Sequence, residues 1–516
     1  MNMLMKGLLT GVALTLAPMA QADTLSIAFA DVPQGLDGDA IKAYTQPVVV
    51  QVYEPLVRYK KVIGDDGTAK IDLTAFEGAL AESWTVSEDG KTVVFKLREG
   101  VKSPYGNELT ADDVEWSWAK SFAQKRTGNF IASVTNVDSV KAISDYEVQF
   151  NLKAPSPLLL PALTLYVPGI YDSTEMKAHA TAEDPWALKF IEAHTAGFGP
   201  YTVDSVVPGQ AAVLVANPNY YGNAPAYDRV MIRAIPSAGS RMTLLKAGQV
   251  QYIERPTFQQ VKDLDADPKV TVERTDGKFF TGLWFNTNME PFTDPVVRQA
   301  LNHAVDKISL INTLFLGYAK PTNSIAAAYI PGSVGVDFDY DPELAKKMLA
   351  EAGKSDLSFD LMYADAFPWM EQGAIQLQAM LKQVGVTVNL NRVTNNELRG
   401  AIAPNARQTA AFFWEDGPFL PDPVYTLAIF GIPKNVGNKG EHVNERAAEL
   451  AKAALVENDA TKRAAMVDEG LKAWMGDAPY VLFGIPDTIE VFNASVDGYV
   501  WYPDEYPRWY DIHPAD

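Results

Sequence analysis

The sequence contains no cysteine, which excludes disulfide bonds, a thiolate nucleophile and a cysteine metal site. It has five histidines (His179, His194, His303, His442 and His513), and none are close enough in sequence to form a His-x-x-x-His metal motif. A Gly-x-Ser-x-Gly nucleophile motif is also missing. These absences predict that the protein is not an enzyme and that it needs no metal or other cofactor.

Long apolar runs are also lacking, apart from one at the start of the chain. Lys6 precedes an apolar run over Gly7–Ala20, and Ala20-Gln21-Ala22 has the small-x-small pattern of a cleavage site. The run is shorter than the roughly 20 residues that a membrane-spanning helix needs, and it contains Pro18. Residues 1–22 are therefore predicted to be a cleaved signal peptide. Because no cysteine follows that could carry a lipid, we expect a mature protein without a membrane anchor, in the periplasm of a Gram-negative bacterium.

The third feature that the sequence lacks is a cluster of basic residues. There are 44 lysines and arginines against 64 aspartates and glutamates, giving a formal net charge of −20. A nucleic-acid-binding protein needs basic patches that neutralise phosphates, so nucleic acid is not an expected partner. The negative charge is most simply explained by solubility.

The 516 residues are enough for about three domains, and their hydrophobic pattern alternates between strands and helices. Strands are predicted at 24–30, 92–97, 144–152 and 386–390. Thr110 is expected to cap a helix, and Pro295–Leu314 is expected to form one long amphipathic helix. Further helices are predicted at 341–353, 372–384, 444–456 and 460–474. This is an α/β protein.

Several separated motifs resemble one known family. Residues 80–118 read LAESWTVSEDGKTVVFKLREGVKSPYGNELTADDVEWSW, and residues 285–307 read FNTNMEPFTDPVVRQALNHAVDK. VYEPLVRY at 52–59, GFGPY at 197–201 and NPNYYG at 217–222 add shorter similarities in the same order. By these motifs the chain resembles the peptide/nickel-type (family 5, cluster C) periplasmic solute-binding proteins of ABC importers, in particular the dipeptide- and oligopeptide-binding members.

The resemblance implies a type II periplasmic-binding-protein fold, in which two α/β lobes enclose a cleft and an extra domain is attached to the first lobe. Lobe I is then expected at residues 23–60, 190–275 and 480–516, the extra domain at 61–189, and lobe II at 276–479. The crossings between lobes would act as a hinge that closes on the ligand.

The function that the resemblance implies is capture of a small solute, a di- or oligopeptide by default, and its delivery to an inner-membrane permease and its ATPase. The protein is expected to be a monomer. Oligosaccharides or sugar–amino-acid conjugates (opines) remain alternative ligands, and an exported hydrolase that uses the same fold is a remote alternative.

The segment that carries the most information about the ligand is AFFWEDGPFLPDPVY at 411–425. In peptide-binding relatives a similar segment supplies an aspartate that holds the α-ammonium group of the ligand. The resemblance assigns this role to Asp416, beside Trp414, although the spacing differs from the family pattern. Strand alternation places Asp416 on the same face as Trp414 and directs Glu415 away, so Asp416 is the expected anchor and Glu415 the weaker candidate.

Other candidate ligand contacts follow from the same resemblance, although each aromatic side chain has core packing as its simpler explanation. They are Trp369 in lobe II, Tyr44 and Thr45 in a lobe I loop, Phe483 in the returning carboxy-terminal strand, and Trp284 on the strand before the FNTN motif.

Overall fold

The described residues form five sheets: two large mixed sheets, one four-stranded antiparallel sheet and two two-stranded sheets. The computed structural model describes residues 23–515 apart from 41, 66, 327, 328, 331–333, 366, 404, 405 and 407. The signal peptide predicted over residues 1–22 lies outside the described residues. None of the helices in the described part of the chain is long and apolar enough to cross a bilayer.

The strands in chain order are β1 (Thr24–Phe29), β2 (Val57–Ile63), β3 (Ala69–Gly78), β4 (Ala81–Val86), β5 (Thr92–Leu97), β6 (Val137–Ser144), β7 (Glu147–Leu152), β8 (Tyr201–Val207), β9 (Ala211–Ala216), β10 (Arg229–Ala234), β11 (Tyr252–Ile253), β12 (Val270–Thr275), β13 (Phe280–Phe285), β14 (Ala319–Pro321), β15 (Ser358–Ala364), β16 (Thr387–Val393), β17 (Ala411–Asp416), β18 (Tyr480–Pro486), β19 (Thr488–Asn493), β20 (Val496–Asp497) and β21 (His513–Pro514).

The helices are α1 (Gln46–Val49), α2 (Ala111–Gln124), α3 (Thr127–Thr135), α4 (Leu159–Ala162), α5 (Ser173–Ala178), α6 (Leu188–Ile191), α7 (Ala238–Lys246), α8 (Phe258–Asp265), α9 (Pro295–Ala304), α10 (Lys307–Phe315), α11 (Pro342–Glu351), α12 (Pro368–Gln383), α13 (Asn395–Ala401), α14 (Pro423–Gly431), α15 (Glu445–Ala454) and α16 (Ala460–Gly476).

The first sheet has seven strands in the order β12-β19-β11-β1-β10-β9-β8, and the second has six in the order β14-β18-β13-β17-β15-β16. β1 runs parallel to β10 and β11, and β15 runs parallel to β16 and β17, so each sheet contains parallel pairs. A third, antiparallel sheet of four strands, β4-β5-β7-β6, lies between the parts of the chain that build the first sheet.

Two segments connect the first and second sheets. The chain leaves the first sheet after β12 and enters the second at β13, and it returns between β18 and β19 at Asp487. The return was expected at residue 480, which is wrong. Strand β18 pairs with β13 and β14, so its residues still belong to the second sheet. The side chains of Arg274 and Asp487 form an ion pair at this crossing.

Local sequence signals explain most element boundaries, and one expectation fails for a local reason. Thr110 caps α2 as predicted, in a capping box with Asp113. The single helix predicted over Pro295–Leu314 is in fact two helices. Val305 is extended, and the side chain of Asp306 accepts a hydrogen bond from the backbone N–H of Ser309 at 3.0 Å. Aspartate is a strong N-cap residue, so α10 starts anew at this point.

A buried group of four side chains fixes the loop after β1 to the third-sheet region. We refer to Asp37, Asp39, Lys120 and Tyr171 as the junction cluster. Lys120 Nζ lies 2.9 Å from Asp37 Oδ1, and the Tyr171 hydroxyl donates to the same oxygen at 2.5 Å. Asp39 Oδ1 accepts hydrogen bonds from Ser121 Oγ at 3.0 Å and from the Gly128 N–H at 2.9 Å. The cluster therefore holds both the loop that leads to Tyr44 and the first turn of α3.

Candidate functional site

The carboxy-terminal end of β17 lies where the two main sheets meet. Asp416 pairs with Phe280, the first residue of β13, and the crossing from the first sheet ends immediately before Phe280. Trp414, Glu415 and Asp416 therefore lie at the end of an interior strand, next to the crossing from the first sheet.

The carboxylate of Asp416 is already occupied. Its Oδ2 accepts a hydrogen bond from Trp414 Nε1 at 3.3 Å and forms an ion pair with Lys439 Nζ at 2.5 Å. Its Oδ1 accepts from the backbone N–H of Gly417 at 2.9 Å. The expectation of a carboxylate free to hold a ligand cation is therefore not met by Asp416, because Lys439 neutralises it.

Glu415 points to the other side of β17 and is half-buried. Burial raises the pKa of the Glu415 carboxyl, while Arg255, a hydrogen bond from the Trp369 side chain and Arg399 act in the opposite direction. The alternation argument directed Glu415 away from the ligand. The structure instead places it within electrostatic range of two arginines, one from each main sheet region.

The side chains of Arg255 and Arg399 are exposed. Arg255 follows β11 of the first sheet in a left-handed conformation with φ 42°, and Arg399 belongs to α13, with its guanidinium carbon 5.1 Å from the centroid of the Trp414 ring. Within the described residues, neither guanidinium forms an ion pair or a side-chain hydrogen bond. Both are available to an anionic group, and the charge of each acts to lower the pKa of Glu415.

Tyr44 is the candidate from the first lobe that reaches this region. It is half-buried, and burial together with the charge of Glu254 raises the pKa of its hydroxyl, while Arg255 opposes that shift. Glu490 lies within electrostatic range of Arg255 as well, and burial raises its pKa to about 8. We refer to Tyr44, Arg255, Trp369, Arg399 and Glu415 as the cleft site.

Trp369 forms the aromatic floor of the cleft site. It lies in the first turn of α12 and stacks on Phe413 with ring centroids 5.9 Å apart. Phe483 packs edge-to-face against the same Phe413 ring, with ring centroids 5.4 Å apart. Phe483 is fully buried within the second sheet, so it supports the floor instead of lining the cleft, contrary to expectation.

Two further candidates are structural. Trp284 is fully buried and packs against Tyr480, with ring centroids 4.4 Å apart. Thr45 is also fully buried, and its hydroxyl donates to the carbonyl oxygen of Gly35 at 2.8 Å. Neither side chain has a free surface to offer a ligand.

Sequence reasoning missed Arg255, Arg399 and Lys439. For Arg255 a signal existed, because it lies two residues after a strand that pairs in parallel with β1. Ligands of open α/β sheets bind beyond the carboxyl ends of such strands. No comparable local signal marks Lys439, which reaches Asp416 from a distant loop. Among the described residues, no group of three or more histidine, aspartate or glutamate side chains is placed to hold a metal ion.

Comparisons with known proteins agree with this architecture. Residues 75–438 match the family "Bacterial extracellular solute-binding proteins, family 5 Middle". The chain is 28% identical to the "Probable D,D-dipeptide-binding periplasmic protein" of Escherichia coli, over 96% of both chains. It is 26% identical to the "Heme-binding protein A" of Haemophilus influenzae, over 92% of this chain and 88% of that one.

Among solved structures, the chain is similar to a dipeptide-binding protein from Pseudoalteromonas sp. SM9913 in complex with Met-Leu. The TM-score is 0.81 at 20% identity, and the alignment covers 95% of this chain and 100% of that one. The expected two-lobed α/β fold is confirmed by this similarity.

Proposed function

Because the chain belongs to family 5 of the bacterial extracellular solute-binding proteins, we propose that it captures a short peptide between its lobes for an ABC importer. It delivers this peptide to an inner-membrane permease and its ATPase. Peptide-binding relatives support a peptide over the oligosaccharide and opine alternatives. The protein has a transport role and no catalytic one, consistent with a family of solute-binding proteins.

The observation that carries this proposal is the arrangement of unpaired charges in the cleft site. A peptide has an ammonium group at one end and a carboxylate at the other. Glu415 offers a half-buried carboxylate for the ammonium group, and the exposed guanidinium groups of Arg255 and Arg399 suit the carboxylate. Trp369 supplies an aromatic surface beside Glu415. Glu415 thus replaces Asp416 as the proposed amine anchor.

The lobes close around the peptide by hinge motion at the two crossings, after β12 and at Asp487. In this proposal lobe I comprises about 23–60, 190–275 and 487–516, lobe II about 276–486, and the extra domain about 61–189. Arg255 comes from the first lobe, whereas Glu415 and Arg399 come from the second. A ligand that binds all three stabilises the closed state over the open one.

The protein acts in the periplasm of a Gram-negative bacterium after its signal peptide, residues 1–22, has been removed. The periplasmic relative from Escherichia coli supports this location.

Titration calorimetry with peptides whose ends are free or blocked tests the proposal. Dipeptides and tripeptides with free termini are expected to bind, and N-acetylation or C-amidation should each weaken binding at least tenfold by removing one charge. Native mass spectrometry of protein purified from the periplasm identifies any co-purified peptide. Equal affinity for free and doubly blocked peptides contradicts the charge arrangement, and binding of opines or oligosaccharides without peptides contradicts the function.

A further inference from the structure

A cavity of about 290 Å³ lies beside the end of β17, between helix α3 of the extra domain and helix α14 of lobe II. Its walls are mostly apolar and come from both sides of the cleft, and they include Phe130, Phe279, Phe419, Ile429, Phe430 and Val436. Two of these residues, Phe279 and Val436, are exposed at 43% and 58%. Exposed apolar side chains around a cavity are unfavourable in water unless a ligand covers them.

The polar wall of this cavity connects it to the cleft site. Asp416 and Lys439 line the cavity. Both contact Trp414: its indole N–H donates a hydrogen bond to Asp416, and Lys439 Nζ lies 5.6 Å from the centroid of its ring. Arg399 contacts the same indole. One tryptophan side chain thus touches residues of both regions.

The charge of the cavity wall is already balanced. Because Lys439 neutralises Asp416, this wall presents no net charge to a ligand. The group that fits next to a neutral ion pair and aromatic side chains is an uncharged, apolar one.

The wall contributed by the extra domain is held in place. Thr127 Oγ1 donates to the carbonyl oxygen of Asp39 at 3.2 Å, and the Gly128 N–H donates to Asp39 Oδ1 at 2.9 Å. These bonds attach the first turn of α3 to the junction cluster, so Phe130 is positioned before a ligand arrives. Such pre-organisation lowers the entropic cost of binding.

We propose that this cavity is a specificity pocket that receives an apolar side chain of the bound peptide. The inference rests on the proposed function, and it defines the substrate class as peptides that carry a leucine-, methionine- or phenylalanine-sized residue. A volume of about 290 Å³ accommodates a side chain of this size. Removing the apolar group from such a ligand typically reduces binding by about 10- to 100-fold.

The test compares Ala-Ala and Ala-Ala-Ala with matched peptides in which each position in turn is leucine or phenylalanine, by titration calorimetry. We expect at least one position at which leucine or phenylalanine binds tenfold or more tightly than alanine. The variant Phe130→Ala should reduce that ratio at least threefold. Val134→Ala, on the same helix but outside the pocket lining, is the matched control and should keep the ratio.

A second variant, Val436→Asp, alters an exposed residue and so avoids a folding defect. It places a carboxylate at the pocket and should likewise reduce the preference for apolar side chains. If alanine peptides bind as tightly as all the leucine and phenylalanine peptides, or if neither variant changes the ratio, the pocket proposal is wrong while peptide binding stands. If no peptide of either series binds, peptide binding itself fails, and the pocket proposal fails with it.

Discussion

The junction cluster and the cleft site both combine carboxylates with basic side chains, but they use them differently. In the junction cluster the charged groups are fully buried, and Lys120 is paired with Asp37. In the cleft site Glu415 is half-buried, and Arg255 and Arg399 are exposed without an ion-pair partner among the described residues. Paired buried charges hold two parts of the chain together, whereas unpaired charges at a lobe boundary are available for a ligand.

The largest expected effect concerns the junction cluster. Lys120→Met removes the cation from two buried carboxylates while keeping most of the side-chain volume. The free energy of unfolding at pH 7 should fall by about 3–5 kcal/mol, because a buried charge loses its partner. Urea denaturation followed by circular dichroism measures this change.

Lys141→Met is the matched control, since the ion pair of Lys141 with Glu115 is exposed and such pairs contribute about 1 kcal/mol or less. If Lys120→Met lowers the free energy of unfolding no more than Lys141→Met does, the junction cluster does not hold the fold together.

The second prediction distinguishes the two neighbouring carboxylates at the end of β17. Glu415→Gln should weaken peptide binding by about 3 kcal/mol, or roughly a hundredfold in Kd, since a desolvated charge pair loses one member. Its free energy of unfolding should change by less than about 1 kcal/mol, because burial already disfavours the ionised carboxyl. Titration calorimetry and urea denaturation provide the two measurements.

Asp416→Asn is the control for this prediction. Because Lys439 already occupies the Asp416 carboxylate, peptide affinity should fall less in this variant than in Glu415→Gln. If Asp416→Asn weakens peptide binding more than Glu415→Gln does, then Asp416 is the amine anchor and the peptide displaces Lys439.

The smallest expected effect is a pH dependence that originates in the junction cluster. Burial raises the pKa of Asp39 from 3.8 to about 6, although Lys120 and the Gly128 N–H oppose it and the charge of Asp37 adds to it. The folded state therefore binds a proton more tightly than the unfolded state. Stability from this group rises as the pH falls through 6 and is complete below about 3.8. Lys120 and the Tyr171 hydroxyl hold the pKa of Asp37 below its usual value of 3.8 despite burial. The stability that Asp37 contributes is therefore lost only below about pH 3.8, outside the range in which Asp39 adds stability.

Between pH 7 and pH 5 Asp39 should add about 1.3 kcal/mol to the free energy of unfolding. Asp39→Asn removes the titration and keeps the side-chain shape, so the wild type should gain that much more than the variant over this range. Urea midpoints at pH 7, 6 and 5 give both curves. Parallel curves would mean that Asp39 does not titrate in this range.

The apolar pattern and the capping residues predicted most of the fold. The strand at Thr92–Leu97 and the helix that begins after Thr110 appear where the sequence placed them. The helix after Asp341 begins at its capping aspartate, and the helix starting at Ala460 extends two residues further than predicted. The prediction of one helix through Val305–Asp306 is wrong for a local reason. The apolar repeat continues through Asp306, but this residue caps a new helix.

The candidate site was less predictable, because alternation along a strand gives the face of a side chain but not its partner. Trp414 and Asp416 lie on one side of β17, as their spacing indicated. Two features depend on loops that are distant in sequence: the ion pair of Lys439 with Asp416, and the electrostatic influence of Arg255 on Glu415. The burial of Trp284 and Phe483 likewise depends on how the second sheet packs.

By itself, the sequence determined the elements, their caps and the family, since these depend on side-chain periodicity and on hydrogen bonds between residues a few positions apart. Only the tertiary structure decided which charges are paired and which remain free. Electrostatic pairing depends on distances of a few ångströms between groups that the chain brings together from separate lobes. For this reason we propose Glu415, rather than Asp416, as the group that meets the ligand.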